Sequence, residues 1–208
     1  MPDLKFMVDG VEPARFAVSP LLNFKLRIEN ADREQAIQAI ALRCQIRIEP
    51  TRRQYRQAEQ QRLVDIFGQP ERWAQTVHSM LWTHTNIVVP AFSGSTQVEL
   101  PAPCTFDFNV ASAKYFHALE NGVAPLLLLF SGTVFYAAGD SPLQVDQISW
   151  SKEAAFDLPV GVWKQMMDEY YPNTAWLCLS RDVFDRLHQY KMDRGLPTWE
   201  QTLESMLP

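Results

Sequence analysis

The sequence predicts an α+β domain built on an antiparallel β-sandwich or curved sheet, with inserted and C-terminal helices. Three observations predict it. Residues 22–29 and 36–49 alternate apolar and polar side chains almost without error. The run VAPLLLLFSGTVFY at 123–136 is apolar, opens after the turn pair Asn121-Gly122, and ends in β-branched and aromatic residues. Helical patterning is confined to an insert at about 51–80, a short stretch at 111–120 and a C-terminal part from about 159 to 208. One domain spanning 1–208 is expected. A split near residue 80 is the alternative, but no Gly/Ser-rich or Pro-rich linker marks it.

Taken in order, residues 4–8 form a first strand and 16–18 a short second one. In 22–29, Leu22, Phe24, Leu26 and Ile28 share one face, with Asn23, Lys25, Arg27 and Glu29 on the other. In 36–49, Ile40, Leu42, Cys44, Ile46 and Ile48 oppose Arg43, Gln45, Arg47 and Glu49. The short polar link Asn30-Ala31-Asp32 reads as the turn of an antiparallel hairpin between the two. Pro50 ends the second strand. Tyr55, Leu63, Ile66 and Phe67 anchor a polar helix that Gly68 stops. Pro70 opens another helix, running to about Met80. Residues 81–89 return to strand. Ser93-Gly94-Ser95 is a loop, and strands at 96–100 and 104–110 flank the kinked Pro101-Ala102-Pro103.

A helix at 111–120 rests on Tyr115, Phe116 and Leu119. The strand at 123–136 follows. Its uninterrupted leucines predict burial on both faces, and Gly132 predicts a bend or bulge. Gly139-Asp140 is a turn, and 143–150 and 153–158 are strands. Pro159 opens a helix through Trp163 and Met166 to Tyr170. Residues 175–179 are a short apolar strand or an extended segment. Ser180 caps a helix over 181–193, and Thr198 with Gln201 has capping-box spacing for a last one. The terminal aromatics Tyr170, Tyr171, Trp176, Tyr190 and Trp199 are explained mostly by core packing, and in part as interface anchors.

Composition narrows the function classes. The formal charge of −5 gives no electrostatic case for general nucleic-acid binding. The N-terminal segment carries Asp3, Asp9 and Glu12 and no long apolar stretch, so a cytoplasmic protein without a secretory signal is expected. The longest apolar run is too short for a membrane span. Cys44, Cys104 and Cys178 lie far apart and read as reduced core cysteines rather than a disulfide framework. His78, His84, His117 and His188 lack metal-ligand spacing, and no cofactor motif occurs among the eight glycines. Ser93 and Ser131 sit outside any nucleophile-elbow pattern, and no catalytic residue is assigned.

One charge pattern stands out. Lys25, Arg27, Arg43 and Arg47 lie on the polar faces of the expected hairpin, and Arg52, Arg53 and Arg56 follow. As a functional feature this stripe is a docking face for an acidic protein or a nucleic-acid backbone. As a structural one it is a solvated sheet face, partly neutralised by Glu29 and Glu49, that resists edge pairing.

Several segments carry a family resemblance: ALRCQIRIEP at 41–50, LWTHTNIVVPAFSGST at 81–96, PCTFDFNVASAKYFHALENG at 103–122, PLLLLFSGTVFY at 125–136 and YKMDRGLPTWEQTLESML at 190–207. Together they resemble an uncharacterised bacterial family of domain-of-unknown-function type, mainly actinobacterial and associated with [NiFe]-hydrogenase gene clusters. The resemblance implies a non-catalytic accessory role in assembly, maturation or scaffolding of a [NiFe] hydrogenase through a protein partner, a hydrogenase subunit or maturation factor. It implies no catalytic residue. Two alternatives stay open: an enzyme whose site is built from dispersed residues such as His84, His117 and Asp107, and a permanent structural subunit of a complex.

Overall fold

The computed structural model describes residues 2–107, 110–137 and 143–207. The two strictly alternating segments are β2 (Leu21–Asn30) and β3 (Ile37–Ile48). Their apolar faces are buried as expected, from Leu22 to Ile28 in β2 and from Ile40 to Ile48 in β3. They are not a hairpin. β2 pairs antiparallel with β1 (Leu4–Pro13) and with β5 (Ser95–Pro103), making a three-stranded sheet in the order β1-β2-β5. β3 pairs antiparallel with β4 (Met80–Val89) and with β6 (Val123–Tyr136) in a second sheet. The reason is geometric. In a hairpin both apolar faces would lie on the same side and still need a cover. When the chain crosses between sheets, each face covers the other.

The second sheet is completed along β6. β7 (Gln144–Gln147) pairs with its end and β8 (Glu153–Pro159) with its start. The sheets pack face to face. Phe6 of β1 stacks on Phe130 of β6 at 4.4 Å, and Phe24 of β2 meets Trp82 of β4 and Phe156 of β8 edge-on. The fold is thus α+β, with two antiparallel sheets of three and five strands. Both sheets draw strands from either side of residue 80.

β6 is one continuous strand of 14 residues. Two-sided burial is corrected: Leu126, Leu128 and Phe130 are buried, whereas Leu127 and Leu129 on the outer face are half-buried. Neighbouring strands shield that face only from the sides. No bulge occurs at Gly132. It pairs with Leu42 at a φ of 138°, and a Cβ there would lie 2.1 Å from the Ala41 carbonyl oxygen, so the glycine permits close backbone approach.

Other boundaries shift for local reasons. Residues 16–18 are a turn rather than a strand. Phe16 has a φ of 59° and the hairpin closes around it through Ala14 N–H to Leu21 C=O. β5 runs through Pro101 and Pro103 instead of ending there. Among the described residues its only neighbour is β2, and an edge strand tolerates proline. The expected strand at 104–110 is absent from its described part, which holds only an isolated bridge at Asp107, and residues 108–109 lie outside the described residues. So does the turn at Gly139-Asp140. The helix expected to reach Met80 is a 3-10 turn, Pro70–Arg72, followed by the short α2 (Trp73–Thr76). Residues 175–179 form no strand.

α1 (Gln57–Phe67), α3 (Ala111–Ala118) and α4 (Val160–Tyr170) extend the core. Leu63 and Phe67, one turn apart on α1, are buried, and so are Tyr115 and Phe116 of α3 and Trp163 and Met166 of α4. Phe116 stacks on Trp163 at 5.3 Å and meets Trp82 at 4.8 Å, tying α3 to both α4 and the second sheet. Each such side chain contributes roughly 1.5–3 kcal/mol of hydrophobic stabilisation. No helix among the described residues is long and apolar enough to cross a membrane.

Candidate interaction surface

Because β2 and β3 belong to facing sheets, the basic stripe divides. Lys25 and Arg27 lie on the outer face of the three-stranded sheet, and Arg43 and Arg47 on the outer face of the other. Lys25 pairs with Glu12 at 2.9 Å, and Arg27 with Asp9 and Glu29 at 2.9 and 2.6 Å. These four-tenths exposed pairs leave little net charge on that face. Arg47 Nε donates to Ser79 Oγ at 2.8 Å, and the Ser79 hydroxyl in turn bonds Glu49. Arg43 and Arg52 are exposed, and Arg56 reaches Glu120 only loosely, at 3.9 Å.

Arg53 is largely withdrawn from the surface, with 10% of its side chain exposed. Its guanidinium donates to Glu59 at 2.6 Å and to the carbonyls of Asn121 and Val123 at 2.7 and 2.5 Å. Glu59, with only 1% of its side chain exposed, also accepts the backbone N–H groups of Arg56 and Glu120. Burial pushes the Glu59 carboxyl up, but the two N–H donors and Arg53 outweigh it and hold the group below its ordinary range. The pair fastens the start of α1 to the turn between α3 and β6. Its role is architectural.

The dispersed residues fare differently. His84 is exposed on the outer face of β4, across from Gln45. His117 sits on α3 with its ring 5.9 Å from Phe106, the neighbour of Asp107. Among the described residues no group of three or more His, Cys, Asp or Glu is arranged to hold a metal ion. Of the cysteines, only Cys44 is a core residue; Cys104 is half-buried and Cys178 exposed. Burial pushes the Cys44 and Cys104 thiols up to about 12, so neither is a thiolate near neutral pH.

The C-terminal part departs most from expectation. α5 (Arg181–Asp193) and α6 (Trp199–Glu204) form an arm. Core packing was expected for their aromatics. Instead α5 buries no residue, and between Pro172 and Leu207 only Thr202 is buried. The two helices hold each other. Trp199 lies 5.3 Å from Phe184 and 6.1 Å from His188, with the Lys191 ammonium 5.9 Å from its ring. Tyr190 and Ser205 hydroxyls meet at 3.3 Å, and the Thr198 side chain caps α6 by accepting the Gln201 N–H. Val183, Leu187, Tyr190 and Met206, with Arg186, Gln189 and Asp193 among them, line a groove of about 590 Å³, and Met192, Leu203 and Leu207 of the same arm are exposed. The strap leading to the arm adds exposed Trp176, Leu177 and Leu179. Tyr171 anchors the strap, stacking on Phe106 at 6.0 Å and touching Trp176 at 4.9 Å.

The model of a family of unknown function, DUF6084, matches residues 1–208. The chain belongs to the DUF6084 family. No curated protein matches it. Membership of DUF6084 brings neither a reaction nor a partner with it, so the surface is the only functional guide. Sequence reasoning missed the arm because the apolar positions of α5, at 183, 184, 187 and 190, have the same spacing as a core helix. A signal was present in its charge. Six of the thirteen residues of α5 are Asp, Arg or Lys, a density that leaves only a narrow stripe to pack.

Proposed function

We propose that this DUF6084 protein is a single-domain, non-catalytic accessory protein that acts in the cytoplasm by binding a protein partner through its C-terminal arm. The observation carrying this reading is the apolar surface of the arm, which the sandwich leaves uncovered. Exposed apolar residues gathered on one element mark interaction sites, and aromatic and Met side chains are favoured in them. The family resemblance nominates a [NiFe]-hydrogenase subunit or maturation factor as the partner. Arg43 and Arg52, exposed on the body, are available to an acidic region of the same partner.

The test is affinity capture of the tagged full chain from its native cells, beside a Val183→Asp/Leu203→Asp double variant, both residues being exposed on the arm. Hydrogenase subunits or maturation factors that come down with the wild type and not with the variant support the reading. Fixed stoichiometry through purification identifies a permanent subunit; sub-stoichiometric capture identifies an assembly factor. Equal recovery with the variant rejects the arm as the docking site.

A further inference from the structure

We propose that the free edge of β4 accepts an added β-strand, an extended uncharged segment of a partner protein with apolar side chains at alternate positions. The site is separate from the arm. Its chemistry follows from the pairing of β3 and β4. Ile37 and Phe92 exchange both backbone hydrogen bonds, at 2.9 Å each. The same register continues to Ile46 and Thr83. In an antiparallel ladder bonded and non-bonded pairs alternate. His84, Asn86 and Val88 therefore bond β3, and Thr83, Thr85 and Ile87 turn their N–H and C=O groups to the open side, where Thr83 and Ile87 are partly exposed and Thr85 is 6% exposed; Val89, in the same phase, is fully buried and marks where the open stretch ends. No backbone bond of the described residues fills that side. β5 of the opposite sheet comes near β4 without pairing to it.

Every other edge carries a device against strand addition. β1 has a bulge between Val8 and Gly10 and the charges Lys5, Asp9 and Glu12. β5 has Pro101 and Pro103, β7 is four residues long, and β8 has Glu153, Asp157 and Pro159. β4 contains no Asp, Glu, Lys, Arg or Pro, and its one irregularity lies at the Trp82 end. An unguarded edge of regular β-branched residues is a template for another strand. Side-chain preference comes from the margin of the sandwich. Trp82, Ile87 and Val98 pack on the core yet stay partly exposed there, and inward-pointing apolar residues of an added strand would cover them.

Hydrogen exchange on the full chain tests this. The probe is a capped peptide of seven alternating threonines and valines with a lysine at each end, since main-chain pairing tolerates such a generic sequence. The expected result is at least tenfold slower exchange of the Thr83, Thr85 and Ile87 amides with millimolar peptide, and none of this with a Thr83→Pro variant. The Thr83 N–H faces the open side, so the proline removes no bond to β3. Unchanged exchange in the wild-type protein overturns the proposal, whatever the variant's folding. Amides already protected without peptide, in a protein that light scattering finds dimeric, also overturn it and assign the edge to a second copy.

Discussion

Leu42 of β3 and Phe184 of α5 are large apolar side chains on amphipathic elements, yet the first is 1% exposed and the second 46%. Both elements present a clean apolar stripe. What separates them is the cover. β3 faces β2 across the sandwich and has strands on both sides, whereas α5 finds only the six-residue α6. Amphipathic spacing therefore reports that a face exists and says nothing of what it meets. In the sandwich the answer lies within the chain; in the arm it is assigned above to a partner.

The comparison is most sharply tested by placing the same charge in both regions. Leu42→Asp puts a carboxylate where burial is complete, and the body is expected to lose more than about 4 kcal/mol and fail to fold. Circular dichroism and denaturant titration would show this; a melting temperature near wild type would remove β3 from the core. Removing one partner of the internal ion pair comes next. Arg53→Ala leaves Glu59 buried without its cation and is expected to destabilise by about 3–5 kcal/mol, read as a lower denaturant midpoint. The pH dependence has a defined sign. The Glu59 pKa is held down in the folded state, so its contribution is present above its ordinary value of 4.5 and is lost as pH falls through the lower folded value. Wild-type stability should drop over that interval, and Glu59→Gln should flatten the drop. The smallest effect belongs to the arm. Phe184→Asp is expected to move global stability by no more than about 0.5 kcal/mol. A loss as large as that of Leu42→Asp would erase the distinction between the regions.

The strands of the sandwich were legible because alternation follows directly from which face is wet. Partner choice was not. The hairpin between β2 and β3 failed because alternation is the same for strands side by side and strands face to face. That one error carried into the site, since it joined Lys25 and Arg27 to Arg43 and Arg47 in one stripe when they lie on opposite outer faces. Pro101 and Pro103 were read as a break because edge position is a property of the finished sheet. Arg53 was read as exposed because nothing in its neighbours announces that Asn121, Val123 and Glu59 converge on it. Family type was recoverable from the sequence segments alone.

The crossing from β2 to β3 has a consequence for how the molecule is made. β3 is central to its sheet, but β4 begins only at Met80 and β6 ends at Tyr136. At about 5–20 residues added per second during synthesis, Ile40, Leu42 and Ile46 emerge on the order of ten seconds before β6 is complete. β2 waits similarly for β5. A nascent chain thus carries two strands with fully apolar inner faces incompletely paired while the ribosome works. Over that interval these faces are open to association with other chains, a hazard that the depth of the final energy well does not remove.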